Sequence, residues 1–319
     1  MNPLDTLSLY VADIRCEAKD VLYIDLRDPL GGILPPFTPG AHVEVHLKGG
    51  LIRHYSLCND SAERHRYCLG VGLARDGRGG SHHIHQKVRA GHVLNVSAPR
   101  NNFPLAASTE ESIFIAGGIG ITPIMAMIKR CENLGRPWRL FYCARNRQRA
   151  AFYEELNTIS QGRCTYHFDD ENEGRFFDVE NALRSIDSSA HIYTCGPGAL
   201  MKSVESVTAP RPPEHVHFEW FTAAETKKET DQSFTVVLKK SGKRFEVPAG
   251  RSILEVLEDN AMPVPYSCRE GLCASCKTGV VSGEPDHRDN VLSASEKASG
   301  KNIMVCVSRS KSAELVLDI

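Results

Sequence analysis

Four cysteines, Cys268, Cys273, Cys276 and Cys306, are spaced Cys-x4-Cys-x2-Cys-x29-Cys. Three thiolates on one short loop and a fourth from a distant segment can wrap a 2Fe–2S cluster of the plant ferredoxin type. A structural zinc site usually brings two close Cys/His pairs, and here only Cys273 and Cys276 make such a pair. The loop residues Gly271, Ala274 and Ser275 are small, which lets backbone N–H groups approach the sulfurs. A cluster of this kind carries one electron and makes no bonds, so a donor and an acceptor must be sought elsewhere.

A second group lies in Ile115-Ala-Gly117-Gly118-Ile-Gly120-Ile-Thr122-Pro123. Glycines there let backbone N–H groups face a pyrophosphate, and a following helix N-terminus favours its charge. Pro123 suits the first turn of that helix. Cys195-Gly196-Pro197 supplies a second turn of the same kind. The spacing is not G-x-G-x-x-G with an acid about twenty residues on, so a different dinucleotide binder is expected. A third group is Arg53-His54-Tyr55-Ser56 with Gly79-Gly80-Ser81. It offers a guanidinium and backbone donors for a phosphate, an aromatic wall, and a hydroxyl for a ring nitrogen. Nicotinamide gives up two electrons together and an iron–sulfur cluster takes one. A flavin between them is the converter this combination requires.

These groups need three kinds of scaffold. Residues 1–108 read as a β-barrel or sandwich, in short strands such as VLYIDLRD, HVEVHL, RHYSLCN, RYCLGVGL and HVLNVSAP separated by Gly/Pro/Asp turns. Residues 109–225 alternate strand and helix, from SIFIAGG and ITPIMAMIKRCENLG to HIYTCGP and GALMKSVESV, which signals a parallel sheet covered by helices. A polar, charged run ending at residue 232 reads as a linker over 226–232. Residues 233–319 read as a small α+β unit carrying the cysteine loop.

A chain of 319 residues suits two or three domains, and 41% hydrophobic with 24% charged residues is the composition of a soluble globular protein. A formal net charge of −1 gives no pull toward nucleic acid or anionic membrane. No apolar run is long enough to span a bilayer, and no basic N-terminal region precedes an apolar stretch. Eleven cysteines, an odd number, fit a reducing cytoplasm better than a disulfide scaffold.

The motifs RHYSLCNDS, GRGGS, PRNNFPL, AGGIGITP, CGPGALM, VHFEWF, SILEVLEDN, CREGLCASC and PDHRD span the whole chain. Together they resemble the phthalate dioxygenase reductase family, which includes the vanillate O-demethylase and phenoxybenzoate dioxygenase reductases. The resemblance implies an FMN-binding antiparallel β-barrel, then an NADH-binding domain of the ferredoxin-reductase type, then a C-terminal β-grasp 2Fe–2S ferredoxin domain. It implies electron transfer from NADH to a terminal Rieske-type oxygenase by a cytoplasmic monomer. It places Arg53 and Ser81 on the FMN phosphate and Tyr55 and Ser56 at the flavin ring, with His54, Gly79 and Gly80 expected among the cofactor-binding residues. Gly117, Gly118, Gly120 and Thr122 fall to the nucleotide, with Cys195 and Gly196 near the nicotinamide. Ser56, Cys195, Glu219 and Phe221 are then the residues expected around hydride transfer, none of them as a nucleophile. Cys268, Cys273, Cys276 and Cys306 are the expected iron ligands.

Two features leave alternatives open. Arg145, Arg147 and Arg149 flank Asn146, where relatives carry an acid for the ribose of NADH, and would suit the 2′-phosphate of NADPH. The acceptor could also be a di-iron monooxygenase or a cytochrome, and a non-enzymatic redox sensor is a third class. His42 and His46 read as surface histidines, His82-His83-x-His85 as a weak metal motif, and Asp169-Asp170-Glu171 as a solvated turn.

Overall fold

The computed structural model describes residues 6–74, 77, 79–221 and 231–319. They form two compact units, 1–219 and 220–319. The first unit opens with β1 (Thr6–Ala18), β2 (Val21–Arg27), β3 (His42–His46), β4 (Ile52–Ser56), β5 (Tyr67–Gly72), α1 (Gly80–Lys87) and β6 (Val93–Ser97). The strands pair antiparallel in the order β4-β3-β6-β1-β2-β5. A bridge between Leu57 and Leu69 joins the end of β4 to β5 and closes the barrel. Inward-facing Leu9, Val11, Ile24, Leu26, Val43, Val45, Leu69 and Val71 fill it, joined by Ile84 of α1. The sequence reading missed β1, whose alternation is broken by two register shifts.

The same unit continues with β7 (Ser112–Gly117), α2 (Ile121–Leu134), β8 (Trp138–Ala144), α3 (Tyr153–Ser160), β9 (Cys164–Phe168), α4 (Val179–Leu183), β10 (His191–Cys195), α5 (Gly198–Thr208) and β11 (Val216–Glu219). These five strands are parallel in the order β11-β10-β7-β8-β9. Chain order reverses between β7 and β10, so the crevice beyond their carboxyl ends is the topological switch point at which such sheets bind ligands. Gly135, at φ 61°, ends α2 by donating to the carbonyls of Cys131 and Glu132. Barrel and sheet are packed directly together. A Cβ on Gly70 of β5 would lie 2.6 Å from Thr122 Cγ2 at the start of α2.

The second unit contains β12 (Phe234–Leu238), β13 (Arg244–Val247), α6 (Ile253–Asp259), β14 (Lys277–Ser282), β15 (Pro285–Asp286), α7 (Ala294–Ser299), β16 (Asn302–Met304), β17 (Arg309–Ser310) and β18 (Glu314–Leu317). A mixed sheet, β13-β12-β18-β14-β16, holds α6 through Ile253, Leu254, Val256 and Leu257. This is the β-grasp arrangement, with β12 and β18 its parallel central pair. Ser252 and Glu255 close a capping box at the start of α6. Residues 222–230, which hold most of the expected linker, lie outside the described residues. Asp231 and Gln232 are tied into the second unit. Arg288 donates to Asp231 at 2.9 and 2.5 Å, and Arg309 donates to the Gln232 carbonyl at 2.9 Å.

Candidate functional site

In β4 the two-residue strand period puts Arg53 and Tyr55 on one face and His54 and Ser56 on the other. Tyr55 packs against the barrel core, and burial raises its phenol well above the usual range. The Arg53 side chain lies across the start of α1. A Cβ on Gly80 would come within 2.4 Å of Arg53 Cγ and 2.7 Å of Nε, so only glycine permits this approach. Gly79 caps α1 at φ 82°, in the left-handed region. Ser81 Oγ accepts from the Ala74 amide at 3.1 Å. A guanidinium beside a helix N-terminus is a phosphate-sized cationic cradle. Arg78, between the quoted glycines, lies outside the described residues.

On the other face, the His54 ring is 5.2 Å from that of His42, and its Nε2 is 3.9 Å from Glu44 Oε1. Glu44 is buried and accepts from Arg100. His42 is buried too, not a surface histidine, and its backbone is itself paired with that of Arg100. The Glu44–Arg100 pair was missed from sequence, although Arg100 stands within the quoted PRNNFPL. The three-histidine motif does not converge: His85 Nε2 meets the Val71 carbonyl at 2.9 Å.

At the switch point the backbones of β7, α2 and β10 touch. A Cβ on Gly120 would lie 2.2 Å from the Cys195 carbonyl oxygen, and one on Gly117 would lie 2.5 Å from Pro197 Cδ. A Cβ on Gly196 would lie 2.9 Å from Gly117 Cα. Gly118 has φ 53°. Thr122 is buried and its hydroxyl donates to the Ile119 carbonyl at 2.9 Å. Cys195 ends β10 between Ala116 and Glu219. Its thiol is pushed well above the ordinary range by burial, with the Glu219 charge adding to the shift.

Glu219 and Ser56 are brought together across 163 residues of chain, with the Ser56 hydroxyl donating to Glu219 Oε2 at 3.4 Å. Burial pushes the carboxyl up to about 8, while the Ser56 hydrogen bond pulls the other way. The end of β11 is thus a proton-holding group in contact with the barrel. Phe221 belongs to the second unit and is 40% exposed.

A cavity of about 610 Å³ runs along the carboxyl edge of the sheet. Gly117, Gly118 and Pro197 line one end; Arg145, Arg149, Asp169 and Phe176 line the other. Of the three arginines, Arg149 is paired with Asp20 at 2.6 Å and Arg147 meets Glu171 at 3.3 Å and Tyr153 at 2.8 Å. Arg145 is exposed in the cavity wall. Asp169 is a cavity residue rather than part of a merely solvated turn.

In the second unit Cys268, Cys273, Cys276 and Cys306 are all buried, and none is in a disulfide. Cys268 lies within hydrogen-bonding reach of Cys273 and Cys306, and Cys276 of Cys306. Hydrogen bonds from Cys273 and Cys306 hold the Cys268 thiol well below its usual range, helped by the amides of Leu272 and Glu270. The Glu270 amide donates to Cys268 Sγ at 3.3 Å, and Ser275 Oγ lies 3.3 Å from Cys273 Sγ. Arg269, Gly271 and Ala274 all have φ between 58° and 69°, which curls the loop around the sulfurs. Gly271 is required twice over, since a Cβ there would meet Val307 Cγ2 at 2.7 Å. Four convergent buried thiols with amides aimed at them fit an iron–sulfur cluster. Arg269 is stacked over Tyr266 and paired with Glu258 at 2.5 Å.

A dinucleotide-type switch point and a four-thiol β-grasp unit define an iron–sulfur oxidoreductase. Residues 114–206 match the oxidoreductase NAD-binding domain family, and residues 236–311 match the 2Fe-2S iron-sulfur cluster binding domain family. The chain is 45% identical to phthalate dioxygenase reductase of Burkholderia cepacia, over 98% of this chain and 97% of that one. It is 43% identical to tetrachlorobenzoquinone reductase of Sphingobium chlorophenolicum, over 100% and 99%. The solved phthalate dioxygenase reductase, described as a modular structure for electron transfer from pyridine nucleotides to [2Fe-2S], superposes with a TM-score of 0.73 over 98% of both chains. An intact type IV self-sufficient cytochrome P450 monooxygenase, 34% identical, gives a TM-score of 0.89 over 98% of this chain, which spans only 41% of that longer protein. The chain belongs to the phthalate dioxygenase reductase family.

Two outcomes follow from this geometry. Gly120→Ala forces the Cys195 backbone to move, at a cost of about 1–3 kcal/mol. Reduction by NADH should fall sharply in that variant while dithionite still bleaches the cluster bands; unaltered NADH reduction would show the approach to be slack. Folding raises Glu219 from 4.5 to about 8, so its contribution to stability is complete below 4.5 and is lost as pH rises through about 8. Thermal unfolding should therefore show wild type losing a few degrees relative to Glu219→Gln between about pH 5 and 9. Parallel profiles would mean that the carboxyl is as well solvated folded as unfolded.

Proposed function

We propose that this chain is the reductase component of a Rieske-type aromatic oxygenase or O-demethylase system, working in the cytoplasm as a monomer without nucleic-acid or membrane partners. The observation that carries this reading is the match to phthalate dioxygenase reductase over 98% of this chain and 97% of that one. Relatives named as a phenoxybenzoate dioxygenase subunit and a vanillate O-demethylase oxidoreductase match over 98% of the chain as well. Among the described residues no helix is long and apolar enough to cross a membrane, in keeping with a partner that is met in solution.

FMN takes two electrons together from NADH and releases them singly, and a 2Fe–2S cluster carries them one at a time. In this reading residues 1–108 hold FMN, 109–225 hold NADH and 233–319 hold the cluster. Arg53, with the Gly79, Gly80 and Ser81 end of α1, binds the FMN phosphate, and Tyr55 and Ser56 border the flavin ring. His54, braced by Glu44, shapes the same strand from its other face. Gly117, Gly118, Gly120 and Thr122 receive the pyrophosphate without side-chain interference. Cys195 and Gly196 border the nicotinamide, and burial keeps the Cys195 thiol protonated and inert. Glu219 holds a proton next to Ser56, so no unpaired anion faces the ring edge. Cys268, Cys273, Cys276 and Cys306 ligate the irons. NADH is favoured over NADPH on the pattern of the family; Arg147 and Arg149 are engaged by carboxylates, while Arg145 stands exposed in the cavity wall.

A second reading, a reductase for a cytochrome, is favoured by the match within the self-sufficient cytochrome P450. Reconstitution with the terminal oxygenase and with a cytochrome P450 separates the two. Replacing Cys306 by Ser should abolish NADH-dependent cytochrome c reduction, by about 100-fold or more, yet leave flavin bleaching by NADH intact. Loss of both activities together would contradict the order nicotinamide, flavin, cluster.

A further inference from the structure

The turn between β1 and β2 belongs to the barrel, yet its two residues, Lys19 and Asp20, line the cavity along the parallel sheet. This turn is strapped down. The Lys19 amide donates to the Gln148 carbonyl at 2.8 Å, and the Leu73 amide donates to the Asp20 carbonyl at 2.8 Å. Asp20, at φ 64°, pairs with Arg149 at 2.6 Å. Glu17, just before the turn, accepts from the Phe152 amide at 3.0 Å. The end of β5, next to it, lies against the glycine turn after β7: a Cβ on Gly72 would be 3.3 Å from Ile119 Cβ. The backbone that carries Lys19 is therefore fixed between the end of β5 and the segment after β8.

Charge in the cavity wall is unbalanced. Lys19, Arg145 and Arg149 are set against two carboxylates, Asp20 and Asp169. Arg149 is engaged by Asp20, and Asp169 lies 3.7 Å from His167 Nε2. Lys19 and Arg145 are exposed, and among the described residues neither makes an ion pair. A solitary surface lysine is ordinarily a solvated charge. This one is held beside a turn whose amides are open to a phosphate, in a wall that carries a second unpaired cation. We propose that Lys19, carried in by the barrel, binds a phosphate of the dinucleotide together with Arg145. The inference rests on the reading of this cavity as the NADH site. The glycine turn offers a phosphate only backbone amides and a helix N-terminus, and the ammonium adds the full charge that they lack. NADH presents its pyrophosphate to such a group; NADPH presents a 2′-phosphate as well, with the same chemistry.

The test uses the full-length holoenzyme with NADH and with NADPH, at a fixed concentration of cytochrome c as acceptor. Lys19→Gln should raise KM for the nucleotide about 3- to 10-fold, between the effect of an exposed ion pair and that of a hydrogen bond to a charged group. The change should lie in KM rather than kcat, and Lys19→Arg, which keeps the charge, should restore most of the wild-type KM. Because salt screens a charge pair, KM of the wild type should climb with ionic strength more steeply than KM of Lys19→Gln. A rise for both nucleotides assigns the contact to the pyrophosphate, and a rise confined to NADPH assigns it to the 2′-phosphate. An unchanged KM for both, or parallel salt dependence in variant and wild type, overturns the inference while leaving the NADH site standing. Failure of NADH to reduce the wild-type protein overturns the cavity's reading and the inference with it.

Discussion

The first unit depends on one steric constraint: backbone must touch backbone where β7, α2 and β10 meet. Gly117, Gly120 and Gly196 sit where a single added carbon would fall inside another residue's main chain or a proline ring. That closeness brings the ends of two parallel strands together and aims a helix N-terminus at the crevice. It also sets Cys195 beside Glu219 in the ladder, and so delivers the end of β11 to the barrel. A side chain at Gly120 would push apart groups that never appear near one another in the chain.

Electrostatics follows from that packing. A carboxyl at the end of an edge strand would ordinarily ionise in water. Desolvation instead raises the affinity of Glu219 for a proton, against the opposing pull of the Ser56 hydrogen bond. Such a group adds hydrogen-bonding capacity without a fixed charge, which suits a site where a flat, weakly polar ring must lie. Glu44 is more deeply buried, and it accepts from Arg100 with His46 and His54 beside it.

The second unit solves a separate problem. Its four thiols converge because the nine-residue loop 268–276 is forced through three positive-φ positions while Cys306 arrives from the turn after β16. A sheet that holds α6 on one side supplies the rigid base for that loop. Arg288 and Arg309 carry the same rigidity to Asp231 and Gln232, the first described residues of the segment that enters this unit.

Local spacing and periodicity made much of this legible in the sequence. The cysteine interval, the glycine turns, the strand–helix alternation and the order of the three folds are written within short windows, where chain connectivity alone holds residues near one another. Other features rest on long-range contact. The pairing of Ser56 with Glu219, the burial of His42, the Glu44–Arg100 pair and the place of Phe176 on a cavity rim have no local signature. The strand β1 was hidden because its register shifts break the alternation that marks a half-buried strand. Sequence by itself determined which kinds of group this protein can carry, because metal-ligand and phosphate-binding patterns are short-range. Only the tertiary structure decided which side chains face one another and which acid keeps its proton, because burial and approach depend on residues far apart in the chain.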